Sequence, residues 1–128
     1  DGKVESKVTI MHLDVDNLTS RGNTISPYEI SSLMFKLYAK MSEFFLSKKA
    51  LSFFMGGDNF MVVANSNHRE SAEEFIDIIK NELGIELNCG IGTGKTARSA
   101  VKLATKSLDT IREIRDSGKE KPEIYELT

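Results

Sequence analysis

Apolar and polar residues alternate along this chain in blocks whose spacing switches between that of strands and that of helices. Val8 to Leu13 is apolar or β-branched almost throughout, which predicts a central strand from Lys7 to Val15 covered on both faces. A polar loop follows. Ser26, Pro27, Tyr28 and Glu29 then form a capping box with proline at the first helical position, opening a helix to Lys48. Its stripe of Ile30, Leu33, Met34, Leu37, Met41, Phe44 and Phe45 reads as core packing rather than a cofactor box. Ala50–Met55 and Phe60–Asn65 are predicted strands, antiparallel across a Gly-Gly-Asp-Asn turn. Ser71 with Glu74 predicts a second capping box, and its helix turns Phe75, Ile78, Ile79 and Leu83 inward before Gly84 stops it. Ile85–Ile91 reads as a fourth strand and Thr96–Asp116 as a third helix, with Val101, Leu103, Leu108, Ile111 and Ile114 apolar. Pro122–Leu127 fits a short edge strand, where a leading proline is tolerated.

The order β, α, β, β, α, β, α, β predicts an α+β fold. Its first six elements make the ferredoxin-like βαββαβ core, to which a C-terminal helix and an edge strand are added. In that topology the first strand lies beside the hairpin, so Asp14 at the strand's mouth and Asp58 in the turn converge. A chain of 128 residues supports one domain with a real core.

Two stretches carry candidate chemistry. In FFMGGDNFMVV, residues 53–63, Gly56 and Gly57 accept positive φ and let an anionic ligand approach the main chain, while Asp58 offers a carboxylate. The same residues also suit an ordinary turn for conformational reasons. In HLDVDNLT, residues 12–19, Asp14 and Asp16 point to one side of the strand. Buried carboxylates so placed need a compensating partner. Magnesium, which takes oxygen ligands and is usually held by one or two carboxylates plus substrate phosphates, provides it. Asn17 fits the start of a turn, and His12 reads as a core histidine.

Bulk properties narrow the function. A formal net charge of -2 and a pI near 5.7, with Lys and Arg spread along the chain, argue against nucleic-acid binding. Cys89 is the only cysteine and reads as a buried, inert thiol. No run approaches the length needed to span a bilayer, no signal-peptide pattern is present, and a cytoplasmic location is expected. A start at Asp1 rather than methionine reads as an excised or processed chain. GIGTGKT, residues 90–96, imitates a P-loop, but that pattern needs glycine where Cys89 stands. Lys95 still falls at a predicted helix N-terminus, where it could hold a phosphate.

With Asp14 and the Gly-Gly-Asp-Asn turn joined on a ferredoxin-like palm, the chain resembles the nucleotidyl cyclase and polymerase palm group, including GGDEF diguanylate cyclases. The resemblance implies metal ligands at Asp14, the Val15 carbonyl and Asp58, and a phosphate contact from Arg112. Asn59 stands where those cyclases carry a second acid. An amide cannot take a proton at neutral pH, which argues against diguanylate cyclase chemistry.

His12–Val15, Phe53–Met61 and Gly90–Ala97 more closely resemble the archaeal type III GTP cyclohydrolases, over nearly the whole chain. That resemblance implies a magnesium-dependent opening of the imidazole ring of GTP to a formylamino-pyrimidine ribonucleotide monophosphate, with phosphate release, on the route to riboflavin and deazaflavins. It also implies that this chain is one palm, the C-terminal half of a two-palm protein, with GTP and the N-terminal palm as partners and a homo-oligomeric assembly. Asp14, Asp58 and Asn59 are then the expected catalytic residues, with Asp16 as a further metal ligand. Asn17, Gly56, Gly57, Lys95 and Arg112 are the expected nucleotide contacts. The alternatives are a non-catalytic regulatory GTP-binding palm and a cyclase or polymerase activity forming a phosphodiester. No residue stands out as the base for ring opening.

Overall fold

The computed structural model describes residues 6–16, 26–64 and 67–128. Five strands, β1 (Val8–Val15), β2 (Leu51–Phe54), β3 (Asn59–Ala64), β4 (Leu87–Gly94) and β5 (Ile124–Leu127), form one sheet in the order β2-β3-β1-β4-β5. β1 is antiparallel to both neighbours, and β5 joins β4 in parallel after a helical crossover. The first four strands thus have the expected ferredoxin-like order, with β5 added at the edge.

Helix α1 (Pro27–Ser47) starts where the capping box places it. The Glu29 backbone N–H donates to Ser26 Oγ at 3.2 Å and the Ser26 N–H donates back to Glu29 at 3.3 Å. Helix α2 (His68–Leu83) departs from expectation by one turn. Asn67, in the left-handed conformation at φ 59°, precedes it, and the Ser71 N–H already donates to the Asn67 carbonyl. Ser71 is therefore a buried helical residue and not a cap.

The alternation of β1 divides the interior. Met11, Leu13 and Val15 pack with Leu37, Met41, Phe45, Phe60, Phe75 and Ile79 in the main core under α1 and α2. Each such fully buried side chain contributes about 1.5–3 kcal/mol. Ile10 points the other way, against Ala100 and Ala104 of helix α3 (Ala97–Asp116). His12 and Asp14 follow the same two-residue period onto the α3 face.

β4 runs three residues beyond its expected end at Ile91, through Gly92, Thr93 and Gly94. Cross-strand register sets Gly90 opposite His12, Gly92 opposite Ile10 and Gly94 opposite Val8, all on the face covered by α3. A Cβ at Gly90 would lie 2.4 Å from the Ala104 carbonyl oxygen, and one at Gly92 only 2.2 Å from the Ala104 nitrogen. The glycines of GIGTGKT are a seat for a closely docked helix. They do not form a phosphate loop.

Candidate functional site

The site forms at the C-terminal end of β1, where the hairpin turn, the start of β4 and the C-terminal half of α3 meet. Gly56 and Gly57 have φ of 94° and 59°, and the Asn59 N–H closes the turn on the Gly56 carbonyl at 3.0 Å. Nothing lies within 4 Å of where a Cβ on Gly56 would sit, so the backbone there is open to a ligand. Register pairs Asp14 with Asn59 on one side and with Asn88 on the other. The convergence of β1 and the turn expected from the element order is therefore present.

Asp14 is only 4% exposed, too buried to remain without a partner. Arg112 grips its Oδ2 with Nε at 3.0 Å and Nη2 at 2.6 Å, and Asn88 Nδ2 donates to Oδ1 at 3.0 Å. Burial opposes the charge on Arg112, but its hydrogen bonds to Asp14 and the charges of Asp14 and Asp109 raise its pKa overall. Asp58 is half-buried and stands above the usual carboxylate range, because burial and the charge of Asp14 both disfavour its ionisation. Backbone N–H groups of Asp58 and Val15 and the charge of Arg112 offset part of this. Asn59 Nδ2 donates to Asp58 Oδ1 at 3.3 Å.

Asp16 is placed differently from expectation. It shares the face of Asp14 but is drawn into a separate cationic cluster, with Arg115 Nη1 at 3.0 Å and Lys121 Nζ at 3.5 Å. Burial pushes its carboxyl up, yet hydrogen bonds from Arg115 and Asn88 and the charges of Lys121 and Arg115 leave it below the ordinary value. Its charge is already compensated without a metal. Lys95 is also displaced from its expected role. It follows Gly94, the partner of Val8, six positions along β1 from Asp14, hence about 20 Å away. There it lines a cleft of about 520 Å³ with Lys7, Thr93, Thr96 and Ser99. Asn17 lies outside the described residues.

Three participants were not legible as such in the sequence. Asn88, fully buried, bridges Asp14 and Asp16 through one amide nitrogen at 3.0 and 3.3 Å. A polar residue inside the apolar run from Ile85 to Ile91 was the available signal. Arg115 lies one turn beyond Arg112 on the same helix. His12 is half-buried on the α3 face and outside the apolar core, with Nε2 3.0 Å from Asn59 Oδ1 and Nδ1 3.3 Å from Thr105 Oγ1.

Among the described residues, no group of three or more Asp, Glu, His or Cys is placed to hold a metal ion. Asp14 and Asp58 nevertheless form a converging pair of hard oxygen donors whose mutual repulsion a cation would relieve. This fits magnesium, whose remaining ligands would be substrate oxygens and water.

The sequence model of the family described as GTP cyclohydrolase III matches residues 1–123. The chain belongs to the GTP cyclohydrolase III family. Similar relatives include the GTP cyclohydrolase III of Methanocaldococcus jannaschii, 39% identical over 113 residues that cover 85% of this chain and 41% of that protein. That of Methanococcus maripaludis is 35% identical over 121 residues, covering 94% of this chain and 44% of the relative. The chain thus spans less than half the length of these family members. Solved structures with the same fold include the active GGEEF domain of a Vibrio cholerae diguanylate cyclase, at TM-score 0.64 and 16% identity over 96% of this chain and 85% of that one. A GGDEF domain from Caulobacter crescentus in complex with c-di-GMP matches at TM-score 0.71 and 14% identity, over 94% and 77%. The fold is the GGDEF and cyclase palm. Among the described residues no helix is long and apolar enough to cross a membrane.

Proposed function

We propose that this chain is one palm of a magnesium-dependent GTP cyclohydrolase that opens the imidazole ring of GTP to a formylamino-pyrimidine ribonucleotide monophosphate. The observation that carries the reading is the convergence of Asp14 and Asp58 beside an open diglycine turn, within a chain of this family. In this reading Asp14 and Asp58 hold the magnesium, with the Val15 carbonyl at the end of the same strand. Magnesium would neutralise triphosphate oxygens and polarise a water. Gly56 and Gly57 leave room for the phosphates, and Asn59 donates hydrogen bonds toward Asp58 and the bound nucleotide. Arg112 neutralises Asp14 at rest, and its guanidinium, one third exposed, would supply a cation for the phosphates. Ring opening consumes one water and breaks a C–N bond with the formyl group retained. Release of each terminal phosphate consumes another water at a P–O bond.

A regulatory GTP-binding palm is favoured by one observation, that Arg112 and Asn88 already compensate Asp14. Incubation with GTP and MgCl2, followed by ultraviolet spectrum and phosphate release, separates the readings. Since the chain covers less than half of the family members it matches, the enzymatic reading expects binding by this chain alone. It expects ring opening chiefly when the other half of a full-length relative is supplied. Binding with no purine loss under either condition supports the regulatory palm, and a phosphodiester product overturns both.

A further inference from the structure

The GGDN asparagine has two chemically different ends, and the structure dictates which one faces the carboxylates. Asn59 Nδ2 is 3.3 Å from Asp58 Oδ1, and Asn59 Oδ1 is 3.0 Å from His12 Nε2. With the amide reversed, its oxygen would meet the Asp58 carboxylate, acceptor against acceptor. In the observed orientation the amide oxygen requires a donor, so His12 donates from Nε2, and in the neutral ring that is the Nε2–H tautomer. In that neutral tautomer His12 Nδ1 is an acceptor, and the Thr105 hydroxyl on α3 stands 3.3 Å away to donate to it.

The chain Thr105 to His12 to Asn59 to Asp58 is thus a directed set of hydrogen bonds in which each group has one role. His12 can occupy this place because the residue opposite it on β4 is Gly90, where α3 sits too close for any side chain. The same helix that brings Arg112 to Asp14 also brings Thr105 to His12.

We propose that His12 is a positioning residue for the nucleotide site. Its Nε2–H holds the Asn59 amide with the NH2 end toward Asp58, so that Asn59 acts as a hydrogen-bond donor at the carboxylate pair and does not offer an oxygen to the metal. This inference rests on the proposed nucleotide site for its consequence and on the hydrogen-bond geometry alone for its premise. The test separates the two.

The premise is read from the wild-type chain by 15N-edited NMR of the imidazole, with the pH raised until the ring is neutral and its spectrum no longer changes. The expected spectrum shows a protonated Nε2 and an unprotonated Nδ1. The opposite tautomer overturns the proposal, whether or not any nucleotide binds. The consequence is read from the affinity for a non-hydrolysable GTP analogue in MgCl2. His12→Phe should weaken it roughly tenfold, the scale of one lost hydrogen bond with its acceptor stranded. His12→Gln, which can place an N–H near the Nε2 position, should recover to within about threefold. In an Asn59→Ala background His12→Phe should change affinity by less than about twofold, since the residue acts only through Asn59. Full additivity of the two substitutions, or equal losses in Phe and Gln variants, overturns the positioning role. If the wild type binds no analogue, the nucleotide reading fails. In that event the Asn59 side-chain amide resonances in His12→Phe decide the inference: displaced peaks support it and unmoved peaks overturn it.

Discussion

Replacing Gly92 by alanine should loosen the protein far more than one added methyl group suggests. An alanine Cβ would stand 2.2 Å from the Ala104 nitrogen, 2.3 Å from the Ala100 carbonyl oxygen and 2.7 Å from the Leu103 carbonyl carbon. All three obstacles are helix backbone, so no rotamer change can make room. Helix α3 must retreat by about 1 Å to restore ordinary contact, and such a gap forfeits a quarter to a half of each dispersion contact it opens. Overpacking usually costs about 1–3 kcal/mol, and backbone obstacles put Gly92→Ala at the upper end. At roughly 4 °C per kcal/mol for a domain of this size, the melting temperature should fall by about 10 °C. Gly118→Ala is the control. Nothing lies within 4 Å of its would-be Cβ, and only its φ of 82° opposes the substitution, so it should cost about 1 kcal/mol. Thermal denaturation of both variants by circular dichroism makes the comparison. A Gly92→Ala variant that melts within a degree of wild type would refute the helix seat. One with wild-type stability but lost GTP affinity would instead revive a phosphate loop at residues 90–96.

Two aspartates should show opposite pH behaviour. Asp16 is lowered below its ordinary value of 3.8, so its ionised form stabilises the fold above that pH and the benefit is lost as pH falls through its folded-state value. Asp16→Asn should therefore melt below wild type at pH 7, with the gap closing in acid. Asp58 is raised, so its ionisation opposes folding as pH climbs above the ordinary aspartate range, and without metal Asp58→Asn should melt at or above wild type at neutral pH. A reversed ordering of the two variants at neutral pH would contradict both assignments. Arg112→Ala should cost about 1–3 kcal/mol, less than the 3–5 typical of a broken buried pair because a third of Arg112 remains exposed. Millimolar MgCl2 should restore part of that loss, and a magnesium-independent deficit would show that the cation cannot take over at Asp14.

The sequence was most informative where local chemistry decides structure. Ser26 with Glu29 caps α1 as expected, and the diglycine turn takes the positive φ that glycine permits. The element order was enough to bring Asp14 to Asp58, since only one strand arrangement suits a split βαβ unit. Cross-strand register was not legible, because it depends on pairings between distant segments. Asn88 meets Asp14, His12 meets Gly90, and Lys95 is carried to the far end of the sheet for this reason. Asp14 and Asp16 share strand parity, as expected. Their different roles come from Arg112, Arg115 and Lys121, about one hundred residues later, and from which carboxylate each cation reaches. Ser71 misled because a serine three residues before an acid resembles a cap, whereas the left-handed Asn67 starts the helix a turn earlier.

The most direct test of the account is GTP binding to wild type and Asp58→Asn with and without magnesium, read as thermal stabilisation. Ligand at a hundred times its dissociation constant should stabilise the wild type by roughly 2.7 kcal/mol. That is a shift of about 10 °C in a domain of this size, present only with magnesium. Asp58→Asn should fold normally and lose the magnesium-dependent shift. An equal magnesium-dependent shift in the variant would contradict the claim that Asp14 and Asp58 form one metal and nucleotide site.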